Sequence, residues 1–184
     1  GWNIVSSYLE SCSKNLGLKT QVNHDNRYDI ADEYLEVLYK LWEGSWEEGS
    51  VLRDRESGIF ADHKKVHPIQ HEGKYFTVPG IHICEPSPQR TPVLYQAGAS
   101  SRGQKFASQN AECVFIAAPS KIDTKKVVQG IRQKLAQEGR DPYSVKIYAL
   151  LSIVTDETDA KAQAKFKEYQ SYGSYDGALT LLSG

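Results

Sequence analysis

The sequence predicts an α/β fold of parallel βα units, and three observations carry that expectation. Short apolar, strand-like runs alternate four times with helical patterns. The runs are mostly apolar on both faces, as strands are when helices cover a parallel sheet. The stretch Pro92-Val-Leu-Tyr-Gln-Ala-Gly-Ala-Ser-Ser-Arg-Gly-Gln-Lys-Phe-Ala107 reads as one complete strand, turn and helix start. Parallel strands demand right-handed crossovers, and the alternation suits a doubly wound sheet or a barrel equally. Four strands cannot close an eight-stranded barrel, so a barrel requires that half of it lies elsewhere.

In chain order, Trp2 to Val5 is a short apolar strand, followed by a long polar loop through Asn23. A helix then starts near His24-Asp25-Asn26-Arg27-Tyr28, with Ala31, Tyr34, Leu35, Leu38 and Trp42 at the spacing of one buried face. Asp25 or Asn26 is its expected cap and Gly44 its end. From Glu47 to Gly80 the period dissolves into a charged region too long for a simple connection, an insertion that reads as a lid. Within it, Gly73 to Gly80 has the residues of a small hairpin or edge strand. After the Val93 strand and the Ser101 helix, Cys113 to Ala118 is a buried strand, and Asp123 opens a helix carrying Val127, Val128, Ile131 and Leu135. Val145 to Val154 is the fourth strand, Asp156 begins a last helix, and Tyr172 to Gly184 is a Gly- and Ser-rich tail.

A chain of 184 residues with a net charge of −1 has room for one core and no basic field for nucleic acid. No apolar run has the length of a membrane span. Cys12, Cys84 and Cys113 are odd in number and outside any CxxC spacing, which favours reduced thiols and the cytoplasm over a disulfide framework. The chain has no Met and begins with the apolar Gly1-Trp-Asn-Ile-Val, as a piece of something longer would.

The turn after Tyr95 concentrates the candidate chemistry. Ala97, Gly98 and Ala99 leave the backbone uncrowded, and Ser100 and Ser101 stand where a helix N-cap belongs, so the turn offers N–H groups and hydroxyls to a phosphate. An ordinary capped βα loop has the same ingredients. The run Gly98-Ala-Ser-Ser-Arg-Gly103-Gln-Lys105 misses the GxxxxGK[ST] nucleotide loop, because Gln104 stands where lysine is needed. His24 and Tyr28, one turn apart, can each donate to an anion near their helix N-terminus, and Asn3 is a carboxamide in an otherwise apolar strand. His63, His67 and His71 fall four apart, but Pro68 breaks the helix that would stack them, and no metal site is expected.

Four motifs in one order carry a resemblance: Gly1-Trp-Asn-Ile-Val-Ser-Ser, His24-Asp-Asn-Arg-Tyr-Asp-Ile-Ala-Asp-Glu-Tyr34, Asp62-His-Lys-Lys-Val-His-Pro-Ile-Gln-His-Glu-Gly-Lys-Tyr-Phe76 and Gln96-Ala-Gly-Ala-Ser. Together they resemble the flavin-dependent monooxygenases of the bacterial-luciferase superfamily, in the branch of nitrilotriacetate, dibenzothiophene-sulfone and long-chain alkane monooxygenases. The stretch from Cys84 to Gly98 looks closest to the alkane enzyme. The resemblance implies a TIM barrel of which residues 1–184 are the central part of one domain, roughly strands four to seven, with the insertion at about 47–80. It implies reduced FMN and dioxygen as co-substrates, a separate NAD(P)H:flavin reductase, a small organic substrate such as a long-chain alkane, and a homo-oligomer. By position it implies Asn3 beside the isoalloxazine, His24 and Tyr28 near the phosphate side, and Gly98, Ser100 and Ser101 at the phosphate. A fragment of this extent is expected to be inactive alone, and the other readings are a non-catalytic flavin- or phosphate-binding module, a degenerate partner subunit, or a sugar-phosphate enzyme of barrel type.

Overall fold

The computed structural model describes residues 1–182; Ser183 and Gly184, the end of the expected tail, lie outside the described residues. The elements run β1 (Trp2–Ile4), α1 (Glu10–Asn15), α2 (His24–Tyr39), β2 (Val51–Asp54), β3 (Ile59–Ala61), β4 (His71–Glu72), β5 (Thr77–Val78), β6 (Leu94–Gln96), α3 (Ser101–Asn110), β7 (Cys113–Ile116), α4 (Lys121–Gln137), β8 (Lys146–Ala149), α5 (Asp159–Ser171) and α6 (Tyr175–Leu182). β1, β6, β7 and β8 form one parallel sheet in that order, the sheet of a partial barrel.

Strand alternation sends the two faces of this sheet to different surroundings. One face packs under the helices: Ile4 and Leu94 with Tyr28, Leu35 and Phe106, and Val114 and Ile116 with Ala107, Ile131 and Leu135. The other face carries Asn3 in register with Tyr95, and a row of rings in which Phe115 stacks on Tyr95 at 5.3 Å and meets Tyr148 at 5.8 Å. Phe115 and Tyr148 remain 42% and 47% exposed, so this face has no covering layer among the described residues.

Several boundaries differ from the sequence reading for local reasons. The cap of α2 is Asn23, whose Oδ1 accepts from the Asp25 N–H, rather than Asp25 or Asn26. Ser120 and Thr158 cap α4 and α5, so those helices start near, but not at, Asp123 and Asp156. Asp156 instead pairs with Lys165 at 2.7 Å. β8 stops at Ala149, opposite Ile116, because its partner strand ends there. The polar first loop contains the short α1, and the tail contains α6, neither of which has a helical signal long enough to read.

The insertion is a fixed structure on α2. It joins the C-terminal end of α2 to the start of β6 and runs back along α2, where Phe76 packs on Tyr34. Among the described residues, none from 47 to 80 lines the clefts beside the loops that follow β1 and β6, so the insertion is no lid over them. The hairpin expected within Gly73–Gly80 forms as antiparallel β4–β5, but its first strand lies before Gly73, which falls in the turn; β2–β3 is a second ribbon that the charged sequence concealed. The hairpin closes around Glu33 of α2, whose carboxylate accepts the N–H groups of Tyr75 at 3.0 Å and Phe76 at 2.7 Å. Buried His71 adds a bond to Glu33 at 3.2 Å, and Lys40 Nζ donates to its other ring nitrogen at 3.0 Å. A Cβ on Gly73 would come 2.6 Å from the Glu33 carboxyl carbon, which is why glycine stands there.

Burial works to raise the Glu33 carboxyl, but the Phe76 N–H, His71 and the Tyr75 N–H outweigh it and hold it below the ordinary glutamate range. A depressed value stabilises above the unfolded range and loses its effect as pH falls through the folded value. Acidification through that range, or Glu33→Gln at neutral pH, is expected to free the hairpin before the sheet unfolds. Faster amide hydrogen exchange at Tyr75 and Phe76 than at Val114 is the readout; unchanged exchange would refute the clamp.

Candidate functional site

The βα loops after β1 and β6 bring two helix N-termini to one place. α2 begins at His24 and α3 at Ser101, and His24, Tyr28, Gly98 and Ser100 line a cleft of about 310 Å³ with Arg27, Gln96 and the Ser6–Ser7 turn. A neighbouring cleft of about 600 Å³ shares His24 and Ser100 and adds Ser101, Arg102, Lys105 and Lys134. Each N-terminus presents unpaired N–H groups and a partial positive charge, so their convergence favours an anion.

Tyr28 is the centre of the arrangement. Its ring is buried against Phe106 at 5.6 Å, meets the exposed His24 edge-on at 5.3 Å, and lies under the Arg102 guanidinium at 5.5 Å. Its hydroxyl fits between two glycines: a Cβ on Gly98 would stand 2.7 Å from it, and one on Gly103 2.5 Å. Ser100 Oγ accepts the Gly103 N–H at 3.0 Å, which makes Ser100 the N-cap and leaves its own proton to donate. Ser101 is exposed at the first position of the helix. Buried Gln96, at the end of β6, accepts from the Gly98 N–H and so sets the start of the turn.

The structure thus joins five of the six sequence candidates across the two clefts. Asn3 stays apart, exposed on the open sheet face, so it needs no partner within this chain. The three spaced histidines also separate: His67 pairs with Glu47 at 2.6 Å, His71 with Glu33, and His63 opens a short 3₁₀ turn. Among the described residues no group of three or more His, Cys, Asp or Glu is placed to hold a metal, and no helix is long and apolar enough to cross a membrane.

The family profile of luciferase-like monooxygenases matches residues 1–180. The chain belongs to the luciferase-like monooxygenase family. It is 54% identical to the dimethyl-sulfide monooxygenase of Hyphomicrobium sulfonivorans over 100% of its own length and 38% of that protein. It is 50% identical to the long-chain alkane monooxygenase of Geobacillus thermodenitrificans, of which it covers 42%. A crystal structure of riboflavin lyase with modified FMN and substrate riboflavin superposes with a TM-score of 0.84 at 42% identity, over 91% of this chain and 37% of that one. The chain therefore spans about two fifths of the relatives it matches.

Three residues of this luciferase-like chain escape sequence reasoning. Arg27 lines the smaller cleft, donates to the Val22 carbonyl at 2.6 Å, and keeps Nε buried without a partner. Gln96 ends β6, and its bond to the Gly98 N–H exists only once the turn has formed. Arg102 lies beside the predicted serines, but its aspartate partners on α2 are distant in sequence. The His24-to-Tyr28 spacing was the available signal for Arg27, which lies between them on the same turn.

Proposed function

We propose that the protein containing this chain is a two-component monooxygenase that takes reduced FMN from a separate reductase and inserts one atom of dioxygen into a small organic substrate. The observation that carries this reading is the convergence of the α2 and α3 N-termini on one cleft with His24, Tyr28, Gly98 and Ser100. Arg27 brings a permanent positive charge to the wall of that cleft, which suits an anion. The relationship to a riboflavin lyase solved with modified FMN supports a flavin as the phosphate's owner.

In this reading Ser100, Ser101 and the Gly98 turn hold the phosphate, His24 and Tyr28 border it, and Asn3 lies toward the isoalloxazine on the open sheet face. The four strands are strands four to seven of an eight-stranded barrel. Bound reduced flavin supplies the electrons that activate dioxygen; the chain's part is to seat the cofactor, orient it and keep water from it. Relatives at 50% identity or more are named for dimethyl sulfide and long-chain alkanes, which favours a small apolar substrate. The test is anaerobic titration of the full-length protein with reduced FMN, followed by admission of oxygen and a candidate sulfide or alkane. Saturable binding and an oxygenated product are expected. Binding without product would favour the non-catalytic flavin-binding module, and preference for a phosphosugar would refute the flavin reading.

A further inference from the structure

Arg102 follows directly on the two serines and lines the larger cleft with them, and its guanidinium reaches across to α2. Nη2 meets Asp29 Oδ1 at 2.9 Å and Asp32 Oδ2 at 2.5 Å, two carboxylates one helical turn apart on the same face of α2. Its Cζ stands 5.5 Å from the centroid of the Tyr28 ring. One cation facing two carboxylates leaves no net positive charge for a ligand. What the arrangement does is mechanical. It staples the first turn of α3, with Ser100 and Ser101, to the second and third turns of α2, and presses Tyr28 into the gap between Gly98 and Gly103.

We propose that Arg102 is a positioning residue for the phosphate seat, locking the two helix N-termini at the separation a phosphate needs without touching the phosphate itself. The proposal rests on the reduced-FMN reading of the cleft. Through Nη2 the guanidinium bonds both carboxylates while its planar face lies against the ring; an ammonium keeps the charge but has no flat face to hold the ring in place. The opposing role, Arg102 as the direct cation for the phosphate, predicts the reverse response to removal of the aspartates.

The experiment uses the full-length protein, Arg102→Lys and Asp29→Ala/Asp32→Ala, with reduced FMN and reduced riboflavin titrated anaerobically. Both variants are expected to weaken reduced FMN about tenfold and reduced riboflavin less than twofold, since only the phosphate increment depends on the seat. Removing two negative charges near a dianion should by charge alone tighten binding, so weakening by Asp29→Ala/Asp32→Ala identifies positioning. Tighter FMN binding in that variant, or unchanged binding in Arg102→Lys, would overturn the proposal. Amide exchange at Ser101 to Gln104 without flavin is expected to rise in both variants, and no rise would overturn the staple. If the wild type does not distinguish FMN from riboflavin, the phosphate reading fails, while the exchange measurement still decides whether Arg102 fixes the turn.

Discussion

Replacing Ser100 and Ser101 together by alanine is expected to weaken reduced-FMN binding by the full-length protein about a hundredfold. A hydroxyl donating to a charged acceptor contributes roughly 1.5 kcal/mol, two contribute about 3, and each 1.4 kcal/mol is a factor of ten. The two serines should not contribute alike to stability. Ser100 also caps α3 through the Gly103 N–H, so its loss costs the fold about 1 kcal/mol, whereas exposed Ser101 has no such duty. Ser101→Ala alone should therefore lose affinity at unchanged stability, read by anaerobic titration beside chemical denaturation. Reduced riboflavin, lacking the phosphate, should bind the double variant and the wild type alike. Equal FMN affinity in both would remove these serines from the site.

Gly103→Ala is the second large effect, and two opposing magnitudes decide its sign. Alanine in place of a helical glycine ordinarily stabilises by about 1 kcal/mol. Here the added methyl would stand 2.5 Å from the Tyr28 hydroxyl, 3.0 Å from Gly98 Cα and 3.1 Å from Ser100 Oγ. Backbone and a buried ring cannot give way as a surface side chain can, and overpacking of this kind costs about 1–3 kcal/mol. Net destabilisation with loss of FMN affinity is expected. Tyr28→Phe in the same chain removes the nearest clashing atom and should restore part of the stability, measured as the denaturation midpoint of the double variant. A Gly103→Ala protein more stable than wild type would show that the hydroxyl does not occupy this gap.

The sheet and the serine-capped turn after β6 are legible in the sequence because each is coded locally. The alternation of apolar runs with helical faces fixes β1, β6, β7 and β8, and Gly98, Ser100 and Ser101 mark a turn whose geometry follows from their own backbone preferences. Tyr28 is legible as a candidate, but its place between two glycines is not, since Gly98 and Gly103 reach it only through the packing of α3 on α2. The same limit hides Arg102 and Glu33, whose partners lie 70 and 42 residues away in the chain. The insertion reads as a lid because it is charged, long and aperiodic, but its contacts are with the side of α2. Glu33 and the Phe76–Tyr34 ring contact, at 5.6 Å, bind it to the middle of that helix. β8 is overread for a related reason, because Leu150 to Val154 has strand-forming residues without a strand beside them.

The central claim is that the phosphate of reduced FMN sits where the N-termini of α2 and α3 meet. A crystal structure of the full-length protein with FMN tests it most directly. The account predicts the phosphate within hydrogen-bonding distance of Ser100 and Ser101 and beside Tyr28. A phosphate bound at the loop of any other strand, with this cleft holding only water, would contradict it.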